Sequence, residues 1–132
     1  MHFLSLFAFV SAAFALNTPP SGAVIVKKSP SGGQYGTVQA AINSLSTTST
    51  TAQVVFIYSG TYTEQVLIPA RKAALTIYGQ TSDQTTYKSN TVTITYNKDA
   101  TSAGGDDPSG TVRNQASNTK FYNINIANTY GD

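Results

Sequence analysis

The stretch VVFIYSGTYTEQVLIP, Val54 to Pro69, sets two short apolar runs, Val54 to Tyr58 and Val66 to Ile68, on either side of Gly60-Thr61-Tyr62-Thr63-Glu64. Runs this short and this rich in Val and Ile read as strands. Gly60 supplies a turn, and Tyr62 and Glu64, two apart, share one face where the chain is extended. Two readings of that pair are open. In one, a buried aromatic and an ordered carboxylate form the wall of a polar groove; in the other, Tyr62 packs while Glu64 is solvated or bonds backbone.

Downstream the same kind of run recurs at Leu75 to Tyr78, Val92 to Tyr96 and Phe121 to Ala127, separated by turn formers such as Pro69, Gly79, Asp83 and Asn90. Val55-Phe56-Ile57-Tyr58 and Leu75-Thr76-Ile77-Tyr78 start 75 − 55 = 20 residues apart, and Val92-Thr93-Ile94-Thr95 follows after 92 − 75 = 17. That loose period predicts one β-solenoid coil per repeat. The segment from Asn97 to Ser109, NKDATSAGGDDPS, is a polar Gly-rich loop. Beyond it, alternation places Phe121, Asn123 and Asn125 on one face and Tyr122, Ile124 and Ile126 on the other. Such asparagines either ladder between coils of a parallel β-helix or lie on an ordinary half-exposed strand.

Upstream, Val38, Ala41, Ile42 and Leu45 fall at i, i+3, i+4 and i+7, which predicts a helix over Thr37 to Leu45. Thr37 is its N-cap, but Ala40 stands where a capping box would carry Glu or Gln. Ser44 to Thr51 is a Ser/Thr-rich connector that reads as a plain loop or as a site of O-glycosylation in a secreted chain. Ala23 to Val26 is a short edge strand, preceded by the extended leader Asn17 to Gly22 with its Pro19-Pro20 pair. Phe3 to Ala15, FLSLFAFVSAAFA, is apolar, too short to span a bilayer, and ends in Ala13-Phe14-Ala15. It reads as a signal peptide over residues 1–15, cleaved before Leu16, although His2 stands in place of the usual Lys or Arg.

The chain has 132 residues, 40% of them hydrophobic, enough for one domain with a modest core. Eight basic residues against six acidic ones give a net charge of +2, too small and scattered to point to nucleic acid. Only 11% of residues are charged, so the polar surface must be built from Thr, Ser, Asn, Gln and Tyr, a balance common in carbohydrate-facing β proteins. Cysteine is absent and the single histidine, His2, lies in the expected signal peptide. Ser-His and Cys-His pairs and thiolate or imidazole metal sites are therefore excluded after processing. Among the carboxylates, Asp106-Asp107 is the closest pair, but neighbours in a Gly-rich loop tend to point apart, and calcium there would need further oxygen ligands.

In this order, the segments Gly36-Thr37-Val38-Gln39-Ala40-Ala41-Ile42, VVFIYSGTYTEQVLI, LTIYGQT and TVRNQASNTKFYNINIANTYG resemble the N-terminal part of a fungal pectin methylesterase. Gly60, Tyr62 and Glu64 match that family's GxYxE signature. The resemblance implies an all-β, right-handed parallel β-helix with an N-terminal capping α-helix, occupying residues 16–132 and truncated. It also implies hydrolysis of the methyl esters of homogalacturonan without a cofactor or metal. One Asp would attack the ester carbonyl, a second would serve as acid and then base, glutamines would stabilise the oxyanion, and an Arg would hold the nucleophile.

None of those catalytic residues has a matching position here. The glutamine motif is expected just beyond Asp132, with the aspartates and the arginine further on. Thr111 falls near where the family contacts the sugar chain, and Gly60, Tyr62 and Glu64 read as architectural. The expected partner is methyl-esterified pectin, with no nucleic acid, no membrane after signal cleavage, a secreted location and a monomeric full-length protein. Two rival readings remain: a noncatalytic polysaccharide-binding β-solenoid that uses Tyr62 and neighbouring tyrosines as sugar platforms, and a calcium-dependent pectate lyase.

Overall fold

The structure, a computed structural model, describes residues 14–131. The expected signal peptide lies outside the described residues except for Phe14 and Ala15. Nine strands follow in chain order: β1 Val24–Val26, β2 Gln53–Ile57, β3 Gly60–Thr63, β4 Val66–Ile68, β5 Leu75–Gly79, β6 Val92–Tyr96, β7 Val112–Asn114, β8 Thr119–Tyr122 and β9 Ile124–Asn128. They form three parallel sheets in the orders β1-β2-β5-β8, β3-β6-β9 and β4-β7. The chain thus runs β2-β3-β4, then β5-β6-β7 stacked on it, then β8-β9 on top, which is a parallel β-helix with β1 at its edge.

Register makes the core. Val24, Val55, Ile77 and Phe121 form one inward stack, Val92 and Ile124 a second, and Tyr62 and Ile94 a third, which Ile126 continues in register at the upper end of the stack while remaining 45% exposed. Burying each Val or Ile side chain in such a stack contributes about 1.5–3 kcal/mol. Val66 and Ile68 of β4 close the third side.

Three expectations need correction. The 17-residue step from Leu75 to Val92 is not a coil repeat, because β6 stacks on β3 and belongs to the same coil as β5. Coil length varies, with Gln53 under Leu75 but Val66 under Val112, because insertions leave the solenoid at its corners. Gly60, expected to supply a turn, instead opens the strand β3. The single strand expected over Phe121 to Ala127 is two strands, broken at Asn123, whose φ of 57° is left-handed. Asn enters that region more readily than most residues. The corner resets the alternation, so Phe121, Ile124 and Ile126 all continue inward stacks.

Asparagines do bond between coils, but from the corners: Asn123 Nδ2 donates to Asn90 Oδ1 at 3.3 Å, and Asn90 Nδ2 donates to Asn125 Oδ1 at 3.0 Å. Gly79 lies under the same corner. A Cβ there would drive into the Asn123 carbonyl oxygen, so the two backbones approach this closely only because residue 79 has no side chain.

The predicted helix is α1, Val38–Asn43, with Thr37 Oγ1 accepting from Ala40 N at 3.1 Å as its N-cap. It lies against β1, β2 and β4 and buries Val38, Ala41 and Ile42 in the open end of the first coil. Its Gln39 also covers the free edge of β4, accepting from Leu67 N at 2.7 Å and donating to Leu67 O at 3.0 Å. A side-chain amide here takes the place of a neighbouring strand, so both backbone groups are satisfied and the edge offers less to another chain. The loop between β6 and β7 contains two short helical turns, α2 Ala100–Ala103 and α3 Asp106–Ser109. Gly104 (φ 89°) ends α2 in the left-handed conformation. Among the described residues no helix is long and apolar enough to cross a membrane.

Candidate functional site

Gly60, Tyr62 and Glu64 form one unit that joins the cap to the first coil. Tyr62 is 1% exposed; its ring fills the core beneath Ile94, and its hydroxyl donates to Tyr58 O at 2.7 Å. Burial first, and the neighbouring Glu64 charge second, push its pKa up to about 12. Gly60, at φ 153°, leaves room for the Lys28 stem, which a Cβ would meet at 3.0 Å. Lys28 Nζ lies over the Tyr62 ring, 4.8 Å from its centroid, and donates to Thr61 O at 2.9 Å.

Glu64 does what the missing capping box does not. Its carboxylate accepts from Val38 N at 3.0 Å and Gln39 N at 2.8 Å, the first two amides of α1. These are orphan donors of a helix with no acidic residue in its first turn, and a carboxylate beside them is favoured by charge as well as by hydrogen bonding. Of the two readings open from sequence, the structure has Tyr62 packed and Glu64 bonded to backbone. A buried Tyr62 offers no ring face to a sugar, which corrects the platform role given to it in the binding-module reading.

Thr111 sits at the start of β7 beside Gln65 of the coil below. It is 4% exposed, its hydroxyl donates to Ala127 O at 2.8 Å, and its carbonyl accepts from Val66 N at 2.8 Å. Gln65 Nε2 donates to the Pro108 carbonyl and to Gly110 O, the latter at 2.9 Å. Asn128 Nδ2 donates to Lys98 O at 2.9 Å and to Ser109 O at 3.2 Å. The insertion between β6 and β7 is therefore held from below by Gln65 and from above by Asn128. Arg113 adds an ion pair to Asp107 at 2.7 Å, on the outward face where Leu67 and Arg113 are register partners.

The loop-pinning roles of Gln65 and Asn128 have no local sequence signature, because their partners are carbonyls more than fifteen residues away. Glu64 carried a faint one: an acid just past a strand, in a chain whose helix lacks an acidic first turn.

Three of the remaining acids are engaged locally. Asp107 faces Arg113, Asp99 caps α2, and Asp83 accepts from Thr85 N at 2.9 Å. Hydrogen bonds from Thr85 hold Asp83 below the usual carboxylate range, and those from Ser102 do the same for Asp99. Arg71, 8% exposed, donates from Nη1 to Gln53 Oε1 at 2.9 Å and from Nε to Pro69 O at 3.3 Å. Burial lowers its pKa. Among the described residues no three His, Cys, Asp or Glu side chains cluster closely enough to hold a metal ion. What the corner offers is a shaped backbone surface at Gln65, Gly110 and Thr111, with Arg113 and Leu67 on the adjoining sheet face.

A sequence model of the family described as Pectinesterase matches residues 23–132. A pectinesterase of Aspergillus niger is 50% identical over 96% of this chain and 38% of its own length, and one of Aspergillus aculeatus is 47% identical with the same coverage. The chain thus spans less than two fifths of the length of these two relatives. The crystal structure of the pectin methylesterase from Aspergillus niger in deglycosylated form superposes with a TM-score of 0.81 at 39% identity, over 89% of this chain and 38% of that one. With its stacked parallel coils, its capping helix and a family match over nearly all the described residues, this chain belongs to the pectinesterase family.

Proposed function

We propose that these coils are the N-terminal part of a secreted esterase that hydrolyses the methyl esters of homogalacturonan, giving pectate and methanol. The observation that carries the proposal is the family match over residues 23–132 together with a fold that superposes on a pectin methylesterase. In this reading the catalytic aspartates, the oxyanion glutamines and the arginine belong to coils that follow Asp132, as the relatives' greater length supports. The described coils contribute the foundation. α1 closes the apolar end, Glu64 ties it down, and the outer edges of β7, β8 and β9 set the register on which further coils stack.

Thr111 and Gln65 shape the entrance of the sugar-binding cleft in this proposal. Because the Thr111 hydroxyl is already donated to Ala127 O, its contribution is to hold the Gly110-Thr111 backbone where a uronate chain passes. Residues 1–15 act as the signal peptide, and the processed full-length protein is a monomer. The family match favours ester hydrolysis over the lyase reading, and the burial of Tyr62 removes the main support of the binding-module reading.

The test is methanol release from highly methylated pectin. A full-length protein containing these coils is expected to release methanol without added calcium, and the purified 132-residue chain is expected to release none. Methanol from the short chain would overturn the placement of the catalytic groups. Calcium-dependent unsaturated uronides from the full-length protein would overturn the esterase reading.

A further inference from the structure

We propose that the connector between α1 and β2 is a site of O-glycosylation, with Thr47, Thr50 and Thr51 as the acceptors. The inference rests on the secretion reading above. Between Ser44 and Thr51 every residue but Leu45 carries a hydroxyl, and the structure divides these hydroxyls into two groups.

The serines are used to build the loop. Ser44 Oγ donates to Ala41 O at 2.6 Å, Ser46 Oγ accepts from Thr48 N at 3.2 Å and from Ser49 N at 3.0 Å, and Ser49 Oγ accepts from Thr51 N at 3.2 Å. Gln53 Nε2 to Ser46 O at 2.6 Å and Lys72 N to Thr47 O at 3.2 Å fix the loop to the first two coils. Thr48 shares the Ser46 hydroxyl at 3.3 Å. Thr47, Thr50 and Thr51 are exposed, and their hydroxyls have no partner among the described residues. A transferase thus meets three presented nucleophiles whose modification breaks no hydrogen bond of the fold.

The surroundings fit the same chemistry. No Asp, Glu, Lys or Arg lies between Lys28 and Glu64 in the sequence, so the connector itself is uncharged and is hydrated through hydroxyls and amides. The chain has no Asn-x-Ser/Thr sequon, so N-linked sugar cannot supply the hydration. The donor is an activated hexose on a phosphate carrier. The threonine Oγ attacks its anomeric carbon, the carbon–oxygen bond to the carrier breaks with its electron pair going to the phosphate, and the hydroxyl proton passes to a base of the transferase.

The experiment is to express the full-length protein, with residues 1–15 in place, in a secreting fungal host. The peptide spanning the connector is then mapped by mass spectrometry with fragmentation that retains sugars, for wild type and for a Thr47→Val, Thr50→Val, Thr51→Val triple variant. Hexose on those threonines in the secreted protein, lost in the triple variant, is the expected result. A secreted protein with a bare connector, or with sugar on Ser44, Ser46 or Ser49 instead, would overturn the assignment while leaving the secretion reading intact. Retention of the protein inside the cell overturns the secretion reading, and the glycosylation proposal falls with it.

Discussion

Removing the Glu64 carboxylate should loosen the cap of the solenoid before it affects anything else. Val38 N and Gln39 N have no intrahelical partner, and Glu64 accepts from them at 3.0 and 2.8 Å. A hydrogen bond to a charged group is worth about 1.5–3 kcal/mol, and part-exposure of this site roughly halves that figure for each bond. Glu64→Ala is therefore expected to cost α1 about 1.5–3 kcal/mol. Glu64→Gln, which keeps one acceptor oxygen but turns an NH₂ toward the second amide, should cost about half as much. Thr37→Val, which removes only the bond to Ala40 N, should cost about 1 kcal/mol.

Amide hydrogen exchange in the intact protein separates these outcomes. Val38 and Gln39 lose their only acceptor and should exchange freely in Glu64→Ala. Ala41 and Ser44, whose amides bond to Thr37 O and Ala40 O, report on opening of the helix itself. A cost of about 2 kcal/mol corresponds to roughly thirtyfold faster exchange at those two positions. If Val38 and Gln39 speed up while Ala41 and Ser44 stay within threefold of wild type, apolar packing alone holds α1, and the stabilising role assigned to Glu64 is refuted.

Gly79→Ala should cost about 3 kcal/mol, near the upper end for overpacking, because the new methyl group meets the Asn123 backbone rather than a yielding side chain. Protection should fall in β8 and β9 and persist in β2 to β4; a variant within 0.5 kcal/mol of wild type would show that the corner can move. Stability should also fall at alkaline pH through Tyr62, whose ordinary pKa near 10 rises to about 12 in the fold. Below pH 10 both states hold the proton and the stabilisation is complete; between about pH 10 and 12 only the folded state holds it, so stability declines by on the order of 2–3 kcal/mol. Denaturant midpoints across that range should fall less steeply in Tyr62→Phe, and equal slopes would contradict the burial argument.

Much of the molecule follows from local chemistry and is legible without a structure. The helical spacing of Val38, Ala41 and Ile42 placed α1, Thr37 marked its start, and runs of β-branched residues marked β1, β2, β4, β5 and β6. The order of these segments also carried the resemblance to pectin methylesterases, because a sequence motif needs no coordinates. Where sequence reading went astray, the deciding neighbour was distant. Val92 looks like the next repeat after Leu75 until β6 is seen stacked on β3, since parallel pairing joins residues separated by whole coils and their insertions. Asn123 looks like one step of an alternation until the corner above Gly79 sends it left-handed and resets which residues face inward.

The site shows the same division. Composition and motif marked Gly60, Tyr62 and Glu64 as a unit, but an extended chain offers a carboxylate to either solvent or backbone. Only the packing of α1 across the first coil brings the Val38 and Gln39 amides to Glu64, and only the second and third coils seal Thr111 beneath its loop. The sequence by itself determined α1, the β-branched strand runs and the family, because those depend on side-chain type and spacing along the chain. Tertiary structure decided register, corners and hydrogen-bond partners, because in a parallel solenoid the residues that meet come from successive coils.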